Sequence, residues 1–114
     1  MHKILITGSA GFIAPHIAEE ALKLGWEVIG VDVDEVENKV KDSKIKYIKG
    51  DLRDLKANEI KDVDFVAHLA FVTNIPFSIQ NPLSTTYDNI DMTAKLLELC
   101  TKAKVKKFVF PSTA

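Results

Sequence analysis

The chain has 114 residues, of which 46% are hydrophobic and 27% charged, a composition typical of a single globular domain. Its formal net charge of −1 argues against a nucleic acid or an anionic membrane as a partner. With one cysteine, Cys100, an internal disulfide is excluded and a Cys-based metal site is implausible, so we expect a cytoplasmic protein without a bound metal. The N-terminal apolar run ends at Thr7-Gly8, which is too short for a signal peptide or a membrane span.

Short apolar runs alternate with helical patterns along the chain. The runs predict five strands, over residues 4–6, 26–32, 46–48, 64–70 and 106–111. Because these strands are apolar on both faces, they indicate a parallel sheet covered by helices on both sides. We therefore predict an α/β fold, a Rossmann-type doubly wound parallel sheet with strand order 3-2-1-4-5.

Two helices are predicted from apolar residues at helical spacing. The stripe of the first consists of Ile13, Ile17, Ala21 and Leu24, and Gly25 ends this helix. The longest helix opens with Asn81 as N-cap and Pro82 at its first position. Its predicted buried stripe consists of Leu83, Tyr87, Ile90, Ala94 and Leu97. Segments 34–44 and 51–61 are expected to form short helices, loops or turns.

The turn between the first strand and the first helix contains Gly8 and Gly11. Gly8 permits a sharp turn, and Gly11 lacks a Cβ, so a diphosphate could approach the backbone closely. The small Ala14 allows the helix to pack on the sheet, and the N–H groups at the start of that helix would face the anion. The alternative is that these glycines serve the turn alone.

Asp32 ends the second strand, 24 positions after Gly8. A carboxylate at this point of a βαβ unit can accept hydrogen bonds from the ribose hydroxyls of a dinucleotide. The alternative is a solvated turn acid, since Asp34 and Glu35 make the loop acidic in any case. The order of strand, glycine turn, helix, strand and acid favours dinucleotide binding.

The spacing Gly-x-x-Gly-x-x-Ala differs from the general Gly-x-Gly-x-x-Gly fingerprint, and it resembles the signature of the extended short-chain dehydrogenases. These are the NAD-dependent epimerases and dehydratases, including enzymes similar to UDP-glucose 4-epimerase. Residues 50–54 resemble the family's Gly-Asp-Leu/Ile-Arg-Asp segment, and residues 68–70 its His-Leu-Ala segment. Residues 82–98 resemble its Pro…Asn…Leu-Leu-Glu helix, and residues 107–114 its fifth strand with a Ser-Ser/Thr-Ala end.

The resemblance implies that the chain binds NAD and belongs to an enzyme that oxidises a hydroxyl of a nucleotide sugar. Hydride would pass to the nicotinamide and return after epimerisation or elimination. The implied cofactor-binding residues are Gly8, Gly11, Phe12, Ile13, Asp32, Asp51, Leu52, Leu69, Ala70, Phe71, Asn89 and Ser112. In the family, the carboxylate at Asp51 meets adenine, and the hydroxyl at Thr113 touches the substrate hydroxyl and is catalytic.

The chain departs from the family pattern at several positions. Ala14 replaces a glycine, Phe71 replaces a small residue beside the cofactor, and Met92 stands where the family usually has glycine. The catalytic Tyr-x-x-x-Lys pair is expected beyond Ala114, together with the substrate lobe. Residues 1–114 are thus expected to be the N-terminal portion of an NAD(P)-binding domain, truncated relative to the family and without turnover of its own. A non-catalytic NAD(H)-binding sensor and an inactive fragment remain alternatives.

The remaining residues of interest carry structural expectations. His68 is expected to be a hydrogen-bonded core histidine, and Cys100 a buried small apolar residue. The fifth strand is expected to lie at an edge of the sheet, where Phe108, Val109 and Phe110 would favour pairing with a second chain. Together with the long helix, this edge predicts a homodimer.

Overall fold

The computed structural model describes residues 1–112 and contains one parallel sheet of five strands. The strands are β1 Lys3–Thr7, β2 Glu27–Asp32, β3 Ile45–Lys49, β4 Phe65–His68 and β5 Lys107–Val109. Their order is β3-β2-β1-β4-β5, as predicted. The central strand β1 pairs with β2 on one side and with β4 on the other.

The helices connect these strands and cover both faces of the sheet. They are α1 Ala14–Lys23, α2 Ile75–Gln80 and α3 Pro82–Lys102, and two short 3-10 helices span Leu52–Asp54 and Ala57–Ile60. Segment 34–44 is a loop without a helix. None of the helices within residues 1–112 combines the length and the apolar character needed to cross a bilayer.

Alternate residues of the strands build two separate cores. On one face, Ile4, Ile6 and Val28 pack with the alanines of α1. On the other face, Leu5 and residues of β2 and β4 pack against α3. Because both faces are covered, the inner strands β1, β2 and β4 are largely apolar and buried, which is the pattern from which the parallel sheet was predicted.

The predicted stripe of α1 is only partly correct. Ala14, Ala18 and Ala21 are buried, whereas Ile13 and Leu24 are 52% and 67% exposed. Small residues face the sheet because they let the helix approach it closely. The larger apolar side chains lie toward the ends of the helix, where they do not reach the sheet.

The predicted buried stripe of α3 is wrong. Its members Leu83, Tyr87, Ile90 and Leu97 are 44–65% exposed, and Ala94 is exposed as well. The residues that pack on the sheet lie on another side of the helix and include Leu96 and Cys100, both buried as the core requires. This helix carries two apolar stripes, and periodicity alone does not tell which of them faces the sheet.

The start of α3 also differs from the prediction. Pro82 occupies the first helical position, but the side chain of Asn81 does not cap the helix. Its Nδ2 donates instead to the carbonyl of Phe77, 3.2 Å away, because α2 ends immediately before α3. Helix α2 itself was not predicted; Asn74 caps it by accepting a hydrogen bond from the N–H of Phe77 at 2.9 Å.

Two adjacent leucines of α3 test this assignment of the buried stripe. Leu96 is 1% exposed and Leu97 is 44% exposed. We expect Leu96→Ala to lower the free energy of unfolding by about 2–5 kcal/mol, because it leaves a cavity in the core. Leu97→Ala should change it by less than about 0.5 kcal/mol. Urea unfolding at low protein concentration measures both values, and equal losses would contradict the assignment.

Candidate functional site

An open cleft of about 830 Å³ runs along the carboxyl ends of the strands. This is the edge at which ligands bind in open parallel sheets. The cleft is lined by residues that follow β1, β2, β3 and β4, by part of α3 and by residues 110–112. Four strand ends therefore contribute to one elongated site.

The glycine turn after β1 forms the centre of the cleft. Gly8 has a φ of +74°, and a Cβ at this position would lie 2.9 Å from the carbonyl carbon of Leu69. A side chain is therefore excluded by conformation and also by the close approach of the chain leaving β4. Gly11 donates its N–H to the carbonyl of Gly8 at 2.9 Å, which closes the turn.

Helix α1 begins directly behind this turn. Its N-cap residue, Ile13, makes no side-chain capping hydrogen bond. Gly11, Phe12, Ile13 and Ala14 all line the cleft. The uncapped, electropositive end of α1 thus lies at the cleft, where it suits an anionic group.

Asp32 lies beside the turn, at the end of β2. Its Oδ2 accepts a hydrogen bond from the N–H of Ala10 at 2.9 Å, and its Oδ1 accepts one from the N–H of Asp34 at 2.8 Å. The carboxylate is partly exposed and lines the cleft. Each oxygen keeps a free lone pair with which it can accept a hydrogen bond from a hydroxyl group.

Asp51 follows β3 and lies farther along the same cleft. Its Oδ1 accepts from the N–H of Arg53, so it caps the first 3-10 helix, and both of its oxygens accept from the Arg53 guanidinium. The side-chain hydrogen bonds from Arg53 lower the pKa of Asp51 below its ordinary value. The carboxylate is therefore held as an ionised acceptor.

At the other end of the cleft, the buried side chains of Thr7 and His68 form an ordered network. The Thr7 hydroxyl accepts from the N–H groups of Leu69 and Ala70, at 2.9 and 3.1 Å, so its own proton points to His68 Nδ1 at 2.7 Å. His68 must then carry its proton on Nε2, which donates to the hydroxyl of Thr93 at 3.0 Å. Burial lowers the pKa of His68 to about 4, so the imidazole is neutral. The expectation of a hydrogen-bonded core histidine is confirmed.

Asn89 stabilises the segment after β4, which forms one wall of the cleft. Its Oδ1 accepts from the N–H of Val72 at 2.7 Å, and its Nδ2 donates to the carbonyl of Val72 at 3.2 Å. Phe71, the neighbour of Val72, lies with its ring centre 4.5 Å from that of His68. Asn89 thus supports the cleft through the backbone of Val72 without lining it.

The structure brings the predicted site residues together. Eleven of the predicted cofactor residues line the cleft, namely Gly8, Gly11, Phe12, Ile13, Asp32, Asp51, Leu52, Leu69, Ala70, Phe71 and Ser112. Thr113, predicted to be catalytic, lies outside the described residues. Arg53 and Asp88 also line the cleft and were not predicted. The available signal was that Arg53 is the single arginine of the chain and lies within the segment 50–54.

Fold and site together define a Rossmann-type domain with a cleft across its strand ends. Residues 4–114 match the NAD dependent epimerase/dehydratase family. The chain belongs to this family.

Known relatives agree with this assignment. The chain is 34% identical to a putative UDP-glucose 4-epimerase of Methanocaldococcus jannaschii, over 96% of this chain and 37% of that protein. A UDP-N-acetylglucosamine 4-epimerase from Methanobrevibacter ruminantium M1, solved with UDP-N-acetylmuramic acid, superposes with a TM-score of 0.88 at 31% identity, over 99% of this chain and 38% of the other. DesIV, a dTDP-glucose 4,6-dehydratase from Streptomyces venezuelae solved with NAD and TYD bound, gives 0.81 at 28% identity, over 93% and 38%. The chain thus spans less than two fifths of the length of these relatives.

The neutral state of His68 predicts a specific pH dependence of stability. Its pKa is about 4 in the folded chain and about 6.5 when unfolded, so below pH 6.5 the unfolded chain binds a proton that the folded chain does not. The free energy of unfolding should therefore fall as the pH drops from 6.5 to 4, by about 3 kcal/mol in total. Urea unfolding over this range measures the loss.

A control separates His68 from the carboxylates. Asp51, Asp64 and Asp91 have lowered pKa values and lose their contributions below that window. His68→Gln cannot titrate, so its stability should be lower at pH 7 but should lack the 3 kcal/mol component. Nitrogen NMR showing a protonated His68 imidazole in the folded chain at pH 5.5 would refute the assignment.

Proposed function

We propose that the cleft binds NAD and that the chain is the NAD-binding part of an enzyme acting on a nucleotide sugar. The observation that carries this proposal is the continuity of the cleft, which passes from Asp51 over Asp32 and the glycine turn to Leu69 and Phe71. A carboxylate, an anion-binding turn and an apolar wall follow one another in the order in which a dinucleotide presents its ribose, diphosphate and second base. Membership of the NAD-dependent family supports the same assignment.

The residues of the turn fit a diphosphate. A Cβ added at Gly11 would meet the carbonyl oxygen of Gly8 at 3.1 Å, and the position is otherwise open and exposed. The diphosphate would lie over Gly11, Phe12 and Ile13, at the uncapped end of α1. The absence of a side chain at Gly11 is what leaves room for it.

Asp32 supports NAD as the cofactor in preference to NADP. Its carboxylate oxygens can accept hydrogen bonds from two ribose hydroxyls, whereas a phosphate at the 2′ position would bring further negative charge beside them. The bound nicotinamide would supply an acceptor for the hydride on the sugar carbon that carries the hydroxyl; that hydroxyl loses its proton to a base as the carbon becomes a ketone, and the hydride would be returned later. Leu69, Ala70 and Phe71 would exclude water from the nicotinamide side of the cleft, and the wall that they form is held by Thr7 and Asn89.

The substrate proposal rests on the relatives and on the end of the cleft that is lined by residues 110–112. The M. ruminantium and S. venezuelae enzymes are named for nucleotide sugars. We propose the same substrate class here. Ser112, at the exposed end of the cleft, would lie beside the cofactor. The family resemblance implies that Thr113 would contact the sugar hydroxyl. In this proposal, residues 1–114 are the N-terminal portion of the NAD(P)-binding domain. The cytoplasmic location expected from the single cysteine stays a prediction.

Gly11→Val tests the cofactor site directly. A branched side chain would occupy the space required by the diphosphate, so we expect NAD binding to fall below detection in calorimetry. Ala10→Val is the matched control, because Ala10 lies in the same turn but does not line the cleft. It should bind NAD like the unmodified chain. NAD binding by Gly11→Val at unchanged affinity would show that the phosphate site is elsewhere.

We further propose that the chain forms a homodimer through α2 and α3. On α3, the exposed side chains of Leu83, Tyr87, Ile90 and Leu97 recur at helical spacing and form one apolar surface. Helix α2, directly before it, exposes Ile75, Phe77 and Ile79. Apolar patches of this kind are typical of protein interfaces.

Ile90→Glu is expected to abolish self-association, because it places a charge at the centre of this apolar surface. Leu24→Glu is the matched control: Leu24 is 67% exposed but follows α1, on the opposite face of the sheet. Sedimentation or light scattering at micromolar concentrations should show a dimer for the unmodified chain and the control, and a monomer for Ile90→Glu. A monomeric unmodified chain would contradict the proposal.

A further inference from the structure

Arg53 donates several hydrogen bonds to the Asp51 carboxylate, from its side chain and from its backbone. Its Nε lies 3.0 and 3.1 Å from the two oxygens, and its Nη2 donates to Oδ2 at 2.8 Å. The backbone N–H of Arg53 adds a fourth hydrogen bond, to Oδ1 at 2.9 Å. Two-pronged contact between guanidinium and carboxylate fixes the plane of the carboxylate as well as its position.

The other end of the guanidinium is anchored on α3. Its Nη1 donates to Asp88 at 3.3 Å and to Asp91 at 3.1 Å. Of the five N–H donors of the guanidinium, one on Nε, one on Nη2 and two on Nη1 thus have carboxylate partners. Arg53 therefore connects Asp51 rigidly to the long helix, and its donors are committed to carboxylates, which leaves it unsuited to bind a phosphate.

The charges of this cluster favour a hydrogen-bond donor as ligand. Three carboxylates, those of Asp51, Asp88 and Asp91, share the two cations Arg53 and Lys95, which lies 3.4 Å from Asp91. One negative charge is left over. A neutral group with N–H bonds fits this environment, whereas a phosphate or a carbonyl oxygen would face like charge.

The position of the cluster indicates which part of a dinucleotide would meet it. The glycine turn follows β1, Asp32 ends β2, and Asp51 follows β3, the next strand outward. The N–H of Gly50 donates to the carbonyl of Asp32 at 2.8 Å, so the two sites are adjacent. A dinucleotide with its diphosphate at the turn and its ribose at Asp32 therefore places its base beside Asp51.

We propose that Arg53 is a positioning residue for the Asp51 carboxylate, the group that meets adenine in this family. Its contacts with Asp51, Asp88 and Asp91 hold the carboxylate as an acceptor for the 6-amino group, and the selection of adenine over a 6-oxo purine depends on this hold. The inference rests on the proposed NAD-binding function. Selection follows because the two purines differ at this edge: the amino group donates to a carboxylate, whereas an oxo group presents lone pairs to it. A mobile carboxylate could turn away from the oxo group, but one held by Arg53 cannot.

The test compares NAD with nicotinamide hypoxanthine dinucleotide, in which the adenine 6-amino group is replaced by oxygen. We expect the unmodified chain to bind NAD about tenfold more tightly or better in calorimetry, since a hydrogen bond to a charged acceptor is lost in the analogue. Arg53→Lys keeps the positive charge but cannot form the bidentate hydrogen bonds to Asp51. It should weaken NAD about tenfold while changing the affinity for the analogue less than about twofold, so that selectivity largely disappears.

Two further variants separate positioning from general support of the fold. Asp91→Asn removes an anchor of Arg53 that does not line the cleft, and it should lower selectivity by a smaller factor. Lys102→Gln is the control, because Lys102 lies on the same helix but pairs with Glu98, outside the cluster; its selectivity should be unchanged. Circular dichroism establishes that each variant is folded at the temperature of the titration.

The outcomes are distinct. Equal weakening of both dinucleotides by Arg53→Lys would mean that Arg53 only supports the structure. Unchanged affinity for both dinucleotides would mean that Arg53 does not position Asp51. Either result overturns the inference while NAD binding stands. Failure of the unmodified chain to bind either dinucleotide would overturn the proposed function and this inference with it.

Discussion

The hydroxyl group of Thr7 is the contact on which the cleft depends. Thr7 ends the central strand, is completely buried, and bonds to two N–H groups and to the His68 ring. It thereby fixes the chain leaving β4 against the turn leaving β1. The two segments are so close that a Cβ at Gly8 would lie 2.9 Å from the backbone of Leu69. The glycine turn and the apolar wall are thus one unit, built around a single side chain.

Helix α3 contacts both ends of the cleft. Asp88 and Asp91 bind Arg53 on the side of β3, and Asn89 binds Val72 on the side of β4. Thr93, one turn farther on, accepts from His68. Residues 88–93 therefore connect the two walls of the cleft, although they come from a helix whose other side is exposed. Of these residues, Asn89, Asp91 and Thr93 support the walls of the cleft without lining it.

The sequence was sufficient where the signal is local. Runs of apolar residues separated by turns predict β1 to β5 and their order, and the turn 7–14 with Asp32 predicts where the cleft lies. It was insufficient for the orientation of α3, because a helix with two apolar stripes can pack either one on the sheet. Helix α2 was missed because its six residues are too few for a period to appear.

The sequence by itself determined the fold class, the family resemblance and most of the predicted residues that line the cleft, since each depends on residue type and spacing along the chain. Only the tertiary structure decided how those residues are held. Arg53 is separated from Asp88 and Asp91 by 35 and 38 positions, and Thr7 from His68 by 61. No local pattern links such residues, because their pairing arises when parallel strands bring their carboxyl ends to one edge and α3 packs across it. The protonation state of His68 follows in the same way, since it depends on burial and on the two hydroxyl groups that the fold places beside the ring.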